Sequence, residues 1–209
     1  PGSEEILGGE SAAVTIDLGA AAPEAGAMVM LESSDPVAVV PPVVAVPQSK
    51  RSARFTLHTR PVGRTEQVTL RARVGERTGQ GVILVRPKFE LQLQQVRLVG
   101  GQSTEGRLTL SGGAPPGGAE LHLLSSAPEI LSVPDKVLIP AGYDEGYFVV
   151  RSGPVAEGQQ PTITARYEDR EQTLTVNLQA DFQLSVADAG SAGDGQPQGT
   201  IRLSGPAPA

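Results

Sequence analysis

The sequence repeats itself at the spacing of a whole domain. Gly8 recurs at Gly100, 92 positions later, and Phe55 recurs at Phe148, 93 positions later. Between these points the same turn and core residues return in the same order. Tandem copies of this size predict an array of similar domains rather than one large enzyme fold.

A third copy opens near the end of the chain. Residues 182–186 (FQLSV) repeat residues 89–93 (FELQL), and residues 201–205 repeat residues 108–112. A unit of roughly 90 residues buries enough surface to fold without a metal or a disulfide. We therefore expect two domains and part of a third: residues 1–87, in which the opening strand is truncated, residues 88–180, and residues 181–209. Because the chain starts Pro-Gly-Ser, like the remnant of a cleaved tag, we also expect the natural protein to extend beyond both ends.

Apolar residues alternate with polar ones in short runs bounded by Gly, Pro, Ser or Asp. Leu108 and Leu110, Phe148 and Val150, and five similar pairs or triplets form these runs in the second copy. A period of two is the pattern of a half-buried antiparallel strand. About seven such runs in each copy predict an all-β fold, built from two-sheet sandwiches with the first two strands of a third.

Composition restricts the function further. The chain has no cysteine, 3% aromatic residues and a formal net charge of -6. Disulfide and thiol chemistry are thereby excluded, and an acidic surface argues against binding to nucleic acid or to an anionic membrane. No apolar run approaches the roughly 20 residues of a membrane-spanning helix. The joins between copies, at residues 86–88 and 179–181, are short, which predicts a semi-rigid rod.

Residues able to perform catalysis are sparse. His58 and His122 lie in different copies, each beside an inward-facing leucine, so both are predicted to face solvent. Without cysteine or paired carboxylates, zinc binding and nucleophilic catalysis have little support. We expect no enzyme activity and no cofactor. A calcium site at residues 168–171, or around Asp188 and Asp194, lacks the density of oxygen ligands that the ion needs, and charged turns are favoured there.

The repeated motifs resemble those of a known group of proteins. In the second copy they read GG-x(4)-G-x-LTLSG, then PGGA, LSS-x-P, VP and PAG; in the first copy Gln48 and Ser49 replace the last Ala-Gly. This pattern resembles the immunoglobulin-like repeats of large bacterial surface and adhesin-type proteins. The resemblance implies an extracellular stalk or adhesive module, and it transfers no catalytic residue.

One face differs between the copies. If the sandwich is immunoglobulin-like, the third, sixth and seventh runs share a sheet. The outward residues of that sheet in the first copy are Met28, Met30, Arg71, Arg73, Val82 and Leu84, whereas their counterparts in the second copy are polar or charged. A contiguous exposed apolar patch often marks a contact surface. Drift, or coverage by a neighbouring segment, is the alternative explanation.

The leading hypothesis is a non-catalytic segment of a bacterial cell-surface or secreted protein that acts as a stalk, or as an adhesive or fibre-forming array with a protein or cell-surface partner. The alternative is a carbohydrate-binding or accessory module of a secreted hydrolase, although the chain has no Trp and 3 Tyr. The alternating Phe182, Leu184 and Val186 suggest that the tail pairs with an unprotected sheet edge, such as the first-strand position of another molecule's first copy, in head-to-tail strand addition. Packing of the tail on its own second domain is the simpler alternative.

Overall fold

The computed structural model describes residues 4–180, 182–186 and 199–203. In these ranges every named element is a β-strand, as the alternating sequence predicts, and no helix is long and apolar enough to cross a membrane. The described residues form two compact units. The first comprises residues 4–89, 110–119 and 140–144, and the second comprises residues 90–109, 120–139, 145–180 and the two later strands. The domain boundaries expected from the repeat remain a prediction.

Residues 4–86 form two sheets. Their strands are β1 (Glu4–Leu7), β2 (Ser11–Asp17), β3 (Ala27–Ser33), β4 (Ala38–Val39), β5 (Val43–Val46), β6 (Ser52–Thr59), β7 (Glu66–Val74) and β8 (Arg77–Arg86). One sheet has the order β1-β8-β7-β3-β5 and the other has the order β2-β6-β4. This is the two-sheet, immunoglobulin-like sandwich that the sequence predicts.

Residues 89–179 contain the corresponding strands, with one additional strand at the start and with the counterpart of β8 divided into two strands. They are β9 (Phe89–Leu93), β10 (Arg97–Val99), β11 (Ser103–Leu110), β12 (Ala119–Ser125), β13 (Leu131–Ser132), β14 (Lys136–Ile139), β15 (Glu145–Ser152), β16 (Thr162–Tyr167), β17 (Arg170–Thr175) and β18 (Asn177–Gln179). Two sheets have the orders β13-β15-β11-β9 and β14-β12-β16-β17, and β10 pairs with β18. As expected, the third, sixth and seventh runs share a sheet.

The strand pairs recur in the same register in both segments. Glu5 lies opposite Leu84 in the parallel pair β1–β8, and their counterparts Arg97 and Asn177 lie opposite each other in β10–β18. The antiparallel pairs β2–β6 and β3–β7 correspond in the same way to β11–β15 and β12–β16. The residues that repeat in the sequence are therefore those that form the fold.

The opening strand of the second copy differs from the expectation. Residues 89–99 stand as one opening strand in the repeat, but their apolar positions change phase, from Phe89, Leu91 and Leu93 to Val96 and Leu98. They form two strands in different sheets: β9 lies beside β11, whereas β10 pairs with β18. At the break, the backbone N–H of Gln95 donates to the buried hydroxyl of Thr104 at 3.1 Å. Residues 4–7 correspond to the second of these strands.

The core of the first segment consists of two clusters. Leu57, Val68 and Val85 belong to one, and Val29 and Val46 to the other. The half-buried ring of Phe55 packs against both clusters. Its counterpart Phe148 is 6% exposed, which confirms that it faces inward as predicted.

The two strands of the third copy pair with each other. β19 (Phe182–Val186) and β20 (Gly199–Leu203) form an antiparallel two-stranded sheet in which Ser185 lies opposite Thr200. In the second copy the corresponding residues, Gln92 and Arg107, are joined by their side chains at 2.8 Å. The backbone N–H of Gln94 also donates to the carbonyl of Glu105 at 2.9 Å, so β9–β11 has the equivalent register.

Candidate functional site

The predicted partner face is exposed in the first segment at Met28 and Met30. These side chains are 64% and 59% exposed and lie on the outer face of the five-stranded sheet. Val43, opposite Met30 on β5, is 41% exposed and extends the apolar surface. On the other side, Arg73 lies opposite Met30. We name Met28, Met30 and Val43 the methionine patch.

The register divides the predicted face into two parts. Val82 and Leu84 on β8 lie opposite Thr69 and Gln67, and both are half-buried. A row containing Arg71, which faces Gln80 on β8, separates them from the methionine patch. A shallow groove lined by Met30, Arg71 and Arg73 crosses this row. The exposed apolar surface is therefore the methionine patch with flanking arginines, and Val82 and Leu84 lie apart from it.

The corresponding surface of the second segment is charged. Lys136 Nζ donates to Glu120 Oε2 at 2.9 Å, and His122 Nε2 lies 3.5 Å from Glu120 Oε1. The Lys136 bond lowers the pKa of the Glu120 carboxyl below its ordinary value. Both repeats thus use the same sheet geometry, but one presents thioethers and the other an ion pair.

A second feature of the first segment is an open cleft between its sheets. The cleft has a volume of about 380 Å³ and is lined by Ile16 and Leu18 from β2, Ala72 and Val74 from β7, and Gly79 from β8. All four apolar side chains are half-buried. The core of the sandwich is therefore accessible from this side.

The residues that correspond to the cleft lining are buried in the second segment. Leu108, Leu110, Ala165 and Tyr167, the counterparts of its four apolar lining residues, are each at most 7% exposed. In that segment Phe89 and Leu91 of β9 are themselves 3% and 6% exposed. The backbone N–H of Leu91 donates at 3.0 Å to Gln172, which is the counterpart of the cleft residue Gly79. Strand β9 thus occupies the position that is open in the first segment.

The histidines face solvent, as predicted. Ser11 Oγ lies 2.7 Å from His58 Nδ1 on the exposed side of β2–β6, and His122 is exposed beside Glu120. In the ranges that the structure describes, no group of three acidic, histidine or cysteine side chains is placed to hold a metal ion. Residues 168 and 169 form the two-residue turn between β16 and β17, so the hairpin expected there is confirmed. Asp188 and Asp194 lie outside the described residues.

A pair of serines recurs in the two copies, as Ser33-Ser34 and Ser125-Ser126, and the second serine of each pair bonds to a neighbouring strand. Ser34 Oγ accepts the backbone N–H of Thr69 at 2.9 Å, and Ser126 Oγ accepts that of Thr162 at 2.9 Å. Each hydroxyl therefore joins the end of one strand to the start of a neighbouring strand. These hydrogen bonds give Ser34 and Ser126 a structural role, which explains why they recur in both copies.

Two buried hydroxyls were missed by sequence reasoning. Thr59 Oγ1 donates toward the carbonyls of Leu7 and Glu10, at 2.9 and 2.8 Å. Its counterpart Ser152, 8% exposed, lies 3.1 and 2.9 Å from the carbonyls of Val99 and Gln102. The sequence does carry a sign of these buried hydroxyls: a short polar residue, Thr59 or Ser152, stands at an inward position of the fifth alternating run in each copy.

An aromatic side chain lies on the outer face of β15. Tyr147 is 56% exposed and shares a shallow groove with Gln92, Glu105 and Arg107. Its hydroxyl donates to the carboxylate of Glu145, which raises the pKa of the phenol above its ordinary value. The first copy has Arg54 at this position, so the exposed tyrosine is specific to the second segment.

No protein-family model and no curated protein matches the sequence. Solved structures resemble it weakly. Bovine butyrophilin has 11% identity over 84% of this chain and 94% of its own, with a TM-score of 0.39. The class 5 fimbriae chaperone CfaA has 13% identity over 99% and 97%, with a TM-score of 0.32. The C-terminal domain of the Streptococcus agalactiae AgI/II polypeptide BspA has 8% identity over 85% and 95%, with a TM-score of 0.30.

An endo-fucoidan hydrolase from glycoside hydrolase family 107 is also similar, with 11% identity and a TM-score of 0.29. This chain covers 28% of its length. TM-scores this low support no assignment of function.

Proposed function

We propose that the chain is a non-catalytic interaction segment of a bacterial cell-surface or secreted protein, built as an array of immunoglobulin-like repeats. The observation that carries the proposal is the recurrence of identical strand registers in the two segments, Glu5 opposite Leu84 and Arg97 opposite Asn177. Selection for a repeated scaffold preserves fold positions, whereas selection for a catalytic site would preserve a cluster of reactive side chains.

The surface differences between the repeats support an interaction role. Met28 and Met30 are well over half exposed, while Glu120 and His122 occupy the same positions in the second segment. Methionine is flexible and polarisable, and it is common at surfaces that bind partner proteins. The first repeat therefore carries the contact surface, whereas the same face of the second repeat does not bind a partner and the second repeat acts as a spacer.

The short joins support a stalk. The join at residues 86–88 contains a proline, and such a join transmits orientation better than a long flexible linker. The stiffness of this join can be tested by a distance measurement between two spin labels. Because the natural sequence has no cysteine, cysteines introduced at the exposed positions Thr56 and Leu138 would each carry one label.

Double electron–electron resonance on this doubly labelled chain should give a narrow distance distribution. A control with six Gly-Ser residues inserted after Pro87 should give a broad one. A distribution equally broad in both proteins would contradict the stalk. Substitution of Met28 and Met30 by Ser should leave the distribution unchanged and should weaken adhesion to cells or to other copies.

A second function is favoured by one observation. The exposed Tyr147 ring lies beside the amide of Gln92 and the charged Arg107, which is the combination of a stacking surface and hydrogen-bonding groups that sugars need. A glycan array would test it. Binding of a defined glycan that is lost in Tyr147→Ala, but retained in Tyr143→Ala, would identify a carbohydrate-binding module instead; Tyr143 is 67% exposed and lies outside this groove.

A further inference from the structure

Strand β5 lies at the edge of the five-stranded sheet in the first segment. It pairs with β3, and in the part of the chain that the structure describes the sheet order places no strand on its other side. The Leu31 N–H donates to the carbonyl of Pro42 at 2.9 Å, which fixes the alternation of hydrogen bonds along this antiparallel pair. Val44 therefore bonds to β3, whereas the N–H and C=O groups of Val43 and Ala45 point to the open side. An edge of this kind can bind another strand.

The corresponding strand of the second segment, β14, is also an edge strand, so the position is an edge in both repeats. There Lys136 stands at the position of Val43 and bonds to Glu120 at 2.9 Å. A lysine on an edge strand opposes pairing with another chain. In the first segment Val43 is 41% exposed, and β5 (VVAV) contains no charged residue. The edge of the first repeat thus lacks the protection that the edge of the second repeat has.

Prolines limit the length of the open edge. Successive residues alternate in direction, so positions 41, 43, 45 and 47 all direct their backbone groups to the open side. Pro41 and Pro47 occupy the two outer positions, and proline has no backbone N–H. The edge therefore offers complete bonding positions at Val43 and Ala45, and it fits a short strand with the same spacing.

A second copy of β5 has this spacing. In an antiparallel pair centred on Val44, Val43 of each copy lies opposite Ala45 of the other, and Pro41 lies opposite Pro47. Every outward N–H and C=O group of Val43 and Ala45 is then paired in both copies. A shift of the register by two residues in either direction sets Val43 or Ala45 opposite a proline and leaves a carbonyl without a donor.

The same pairing joins the methionine patches of the two copies. Met30 lies opposite Val43, and Met28 lies opposite Ala45, across β3 and β5. Each row of the combined sheet then runs from Met30 and Val43 of one copy to Ala45 and Met28 of the other. The side chains that meet carry no charge, so the formal net charge of -6 on each chain is not concentrated at the contact. Burial of these apolar side chains favours the association.

We propose that β5 pairs with β5 of a second copy of this chain, antiparallel about a two-fold axis at Val44, so that two first repeats share one continuous sheet. The paired segment is short, and we therefore expect weak association that requires a high protein concentration. This deepens the proposed function by naming the partner of the methionine patch. It rests on the interaction role but not on the stalk.

Light scattering over a range of concentrations gives the first test. The mass of the natural chain should rise with concentration, and Val43→Lys should abolish the rise because it places at this edge the residue type that the second repeat has there. Thr56→Lys is the matched control, since it adds the same charge at an exposed position on β6, in the other sheet. Equal masses for the two variants, or a natural chain that stays monomeric at millimolar concentration, would overturn the proposal.

Amide hydrogen exchange followed by NMR distinguishes strand pairing from contact between the outer faces. In the monomer the N–H groups of Val43 and Ala45 should exchange rapidly, whereas that of Val44 should exchange slowly because it bonds to β3. When half of the molecules are paired, exchange at Val43 and Ala45 should slow about two-fold, since it then occurs from the remaining monomer. A mass that rises while these two amides stay unprotected would show face-to-face contact and overturn the proposal.

Disulfide trapping tests the register, because the natural sequence has no cysteine. Val43 and Ala45 are exposed, so we expect Val43→Cys and Ala45→Cys to fold, which circular dichroism checks. Opposite residues of a hydrogen-bonded antiparallel pair have Cα atoms about 5.5 Å apart, which suits a disulfide. Diagonal neighbours, such as Val43 of both copies, are about 7 to 8 Å apart, which does not.

Equal amounts of the two single variants are mixed and oxidised mildly, and the products are resolved without reductant. The heterodimer linked through positions 43 and 45 should exceed either homodimer at least about five-fold. Equal yields of all three products would overturn the two-fold pairing at Val44. None of these failures touches the stalk, which the distance distribution tests in the monomer, or adhesion to cells, which the methionine substitutions test.

Discussion

Gly106 lies directly opposite Phe148 across β11 and β15, and the missing β-carbon makes room for the ring. A β-carbon at Gly106 would come within 2.2 Å of Phe148 Cζ. In the first segment Val14 lies opposite Phe55, and both are only half-buried. The glycine therefore allows the second repeat to bury its aromatic residue more completely.

Gly106→Ala should destabilise the second segment by about 1 to 3 kcal/mol, the usual cost of overpacking a core. Gly81→Ala is the matched control, because nothing lies within 4 Å of a β-carbon at that strand position. Hydrogen exchange resolved by mass spectrometry is the appropriate measurement, since a chain with two units need not unfold in one step. Equal effects of the two substitutions would show that the ring does not depend on the glycine.

Phe148→Ala should cost the second segment about 3 to 5 kcal/mol, the range for removal of a buried ring. The equivalent substitution Phe55→Ala should cost the first segment less, because that ring is half-buried. Urea titrations followed by hydrogen exchange in each segment give both values. A loss below about 1 kcal/mol at Phe148 would contradict its inward position, as a register error of one residue exchanges the two faces.

Ser152→Ala removes the hydroxyl that lies near the carbonyls of Val99 and Gln102. Leaving such groups without their donor should destabilise the second segment by about 1 to 3 kcal/mol. The exposed Ser132 offers a control for the same change of side chain, and Ser132→Ala should have an effect within about 0.5 kcal/mol. If the two variants unfold at the same urea concentration, the buried hydroxyl is dispensable.

The pKa of Asp17 should lie below that of an ordinary aspartate. Arg51 Nε donates to Asp17 Oδ1 at 2.8 Å, the larger cause, and the Gly19 N–H donates to the same oxygen at 2.7 Å. A lowered pKa stabilises the fold above the unfolded-state pKa of about 3.9, and this contribution is lost as the pH falls through the folded-state value. Carboxyl ¹³C titration by NMR should show the Asp17 pKa rising in Arg51→Gln but not in Arg54→Gln. An unchanged value would mean that the pair does not form in solution.

The melting temperature should be insensitive to chelators. The described residues contain no cluster that could hold a metal ion, but Asp188 and Asp194 lie outside them. Calorimetry with and without EDTA, repeated on Asp188→Asn with Asp194→Asn, therefore tests the whole chain. A fall of several degrees with EDTA that the double variant removes would reveal a calcium site in residues 187–198.

Much of the fold follows from the sequence because it depends on local alternation. Phe148 and Val150 alternate with exposed residues, so their inward orientation needs no tertiary information. The break between β9 and β10 has a local sign as well, because the apolar positions change phase between Leu93 and Val96. What the alternation does not show is the hydrogen bond from the Gln95 N–H to the hydroxyl of Thr104 on another strand. Long-range side-chain bonds of this kind leave no local pattern.

The candidate contact surface was predicted only in part for a related reason. Outward orientation of Met28 and Val82 follows from the alternation, but their separation depends on how β7 and β8 are aligned. The two-residue turn at residues 75 and 76 sets Val74 opposite Arg77 and thereby Val82 opposite Thr69. The turn can be recognised in the sequence. Pairing the residues of β7 and β8 outward from it would therefore have separated Val82 and Leu84 from the methionine patch.

The parallel pair β1–β8 determines how the first repeat responds to tension. Its first strand lies beside its last, with four residue pairs from Glu4 opposite Ile83 to Leu7 opposite Arg86. Pulling the two ends of the repeat apart would slide these strands along each other, so all the hydrogen bonds between them bear the load together instead of opening one after another. The same geometry recurs in β10–β18 with three pairs. In each repeat a parallel strand pair of this kind would therefore be loaded in shear, and we expect it to resist extension more strongly than a pair that opens one hydrogen bond at a time.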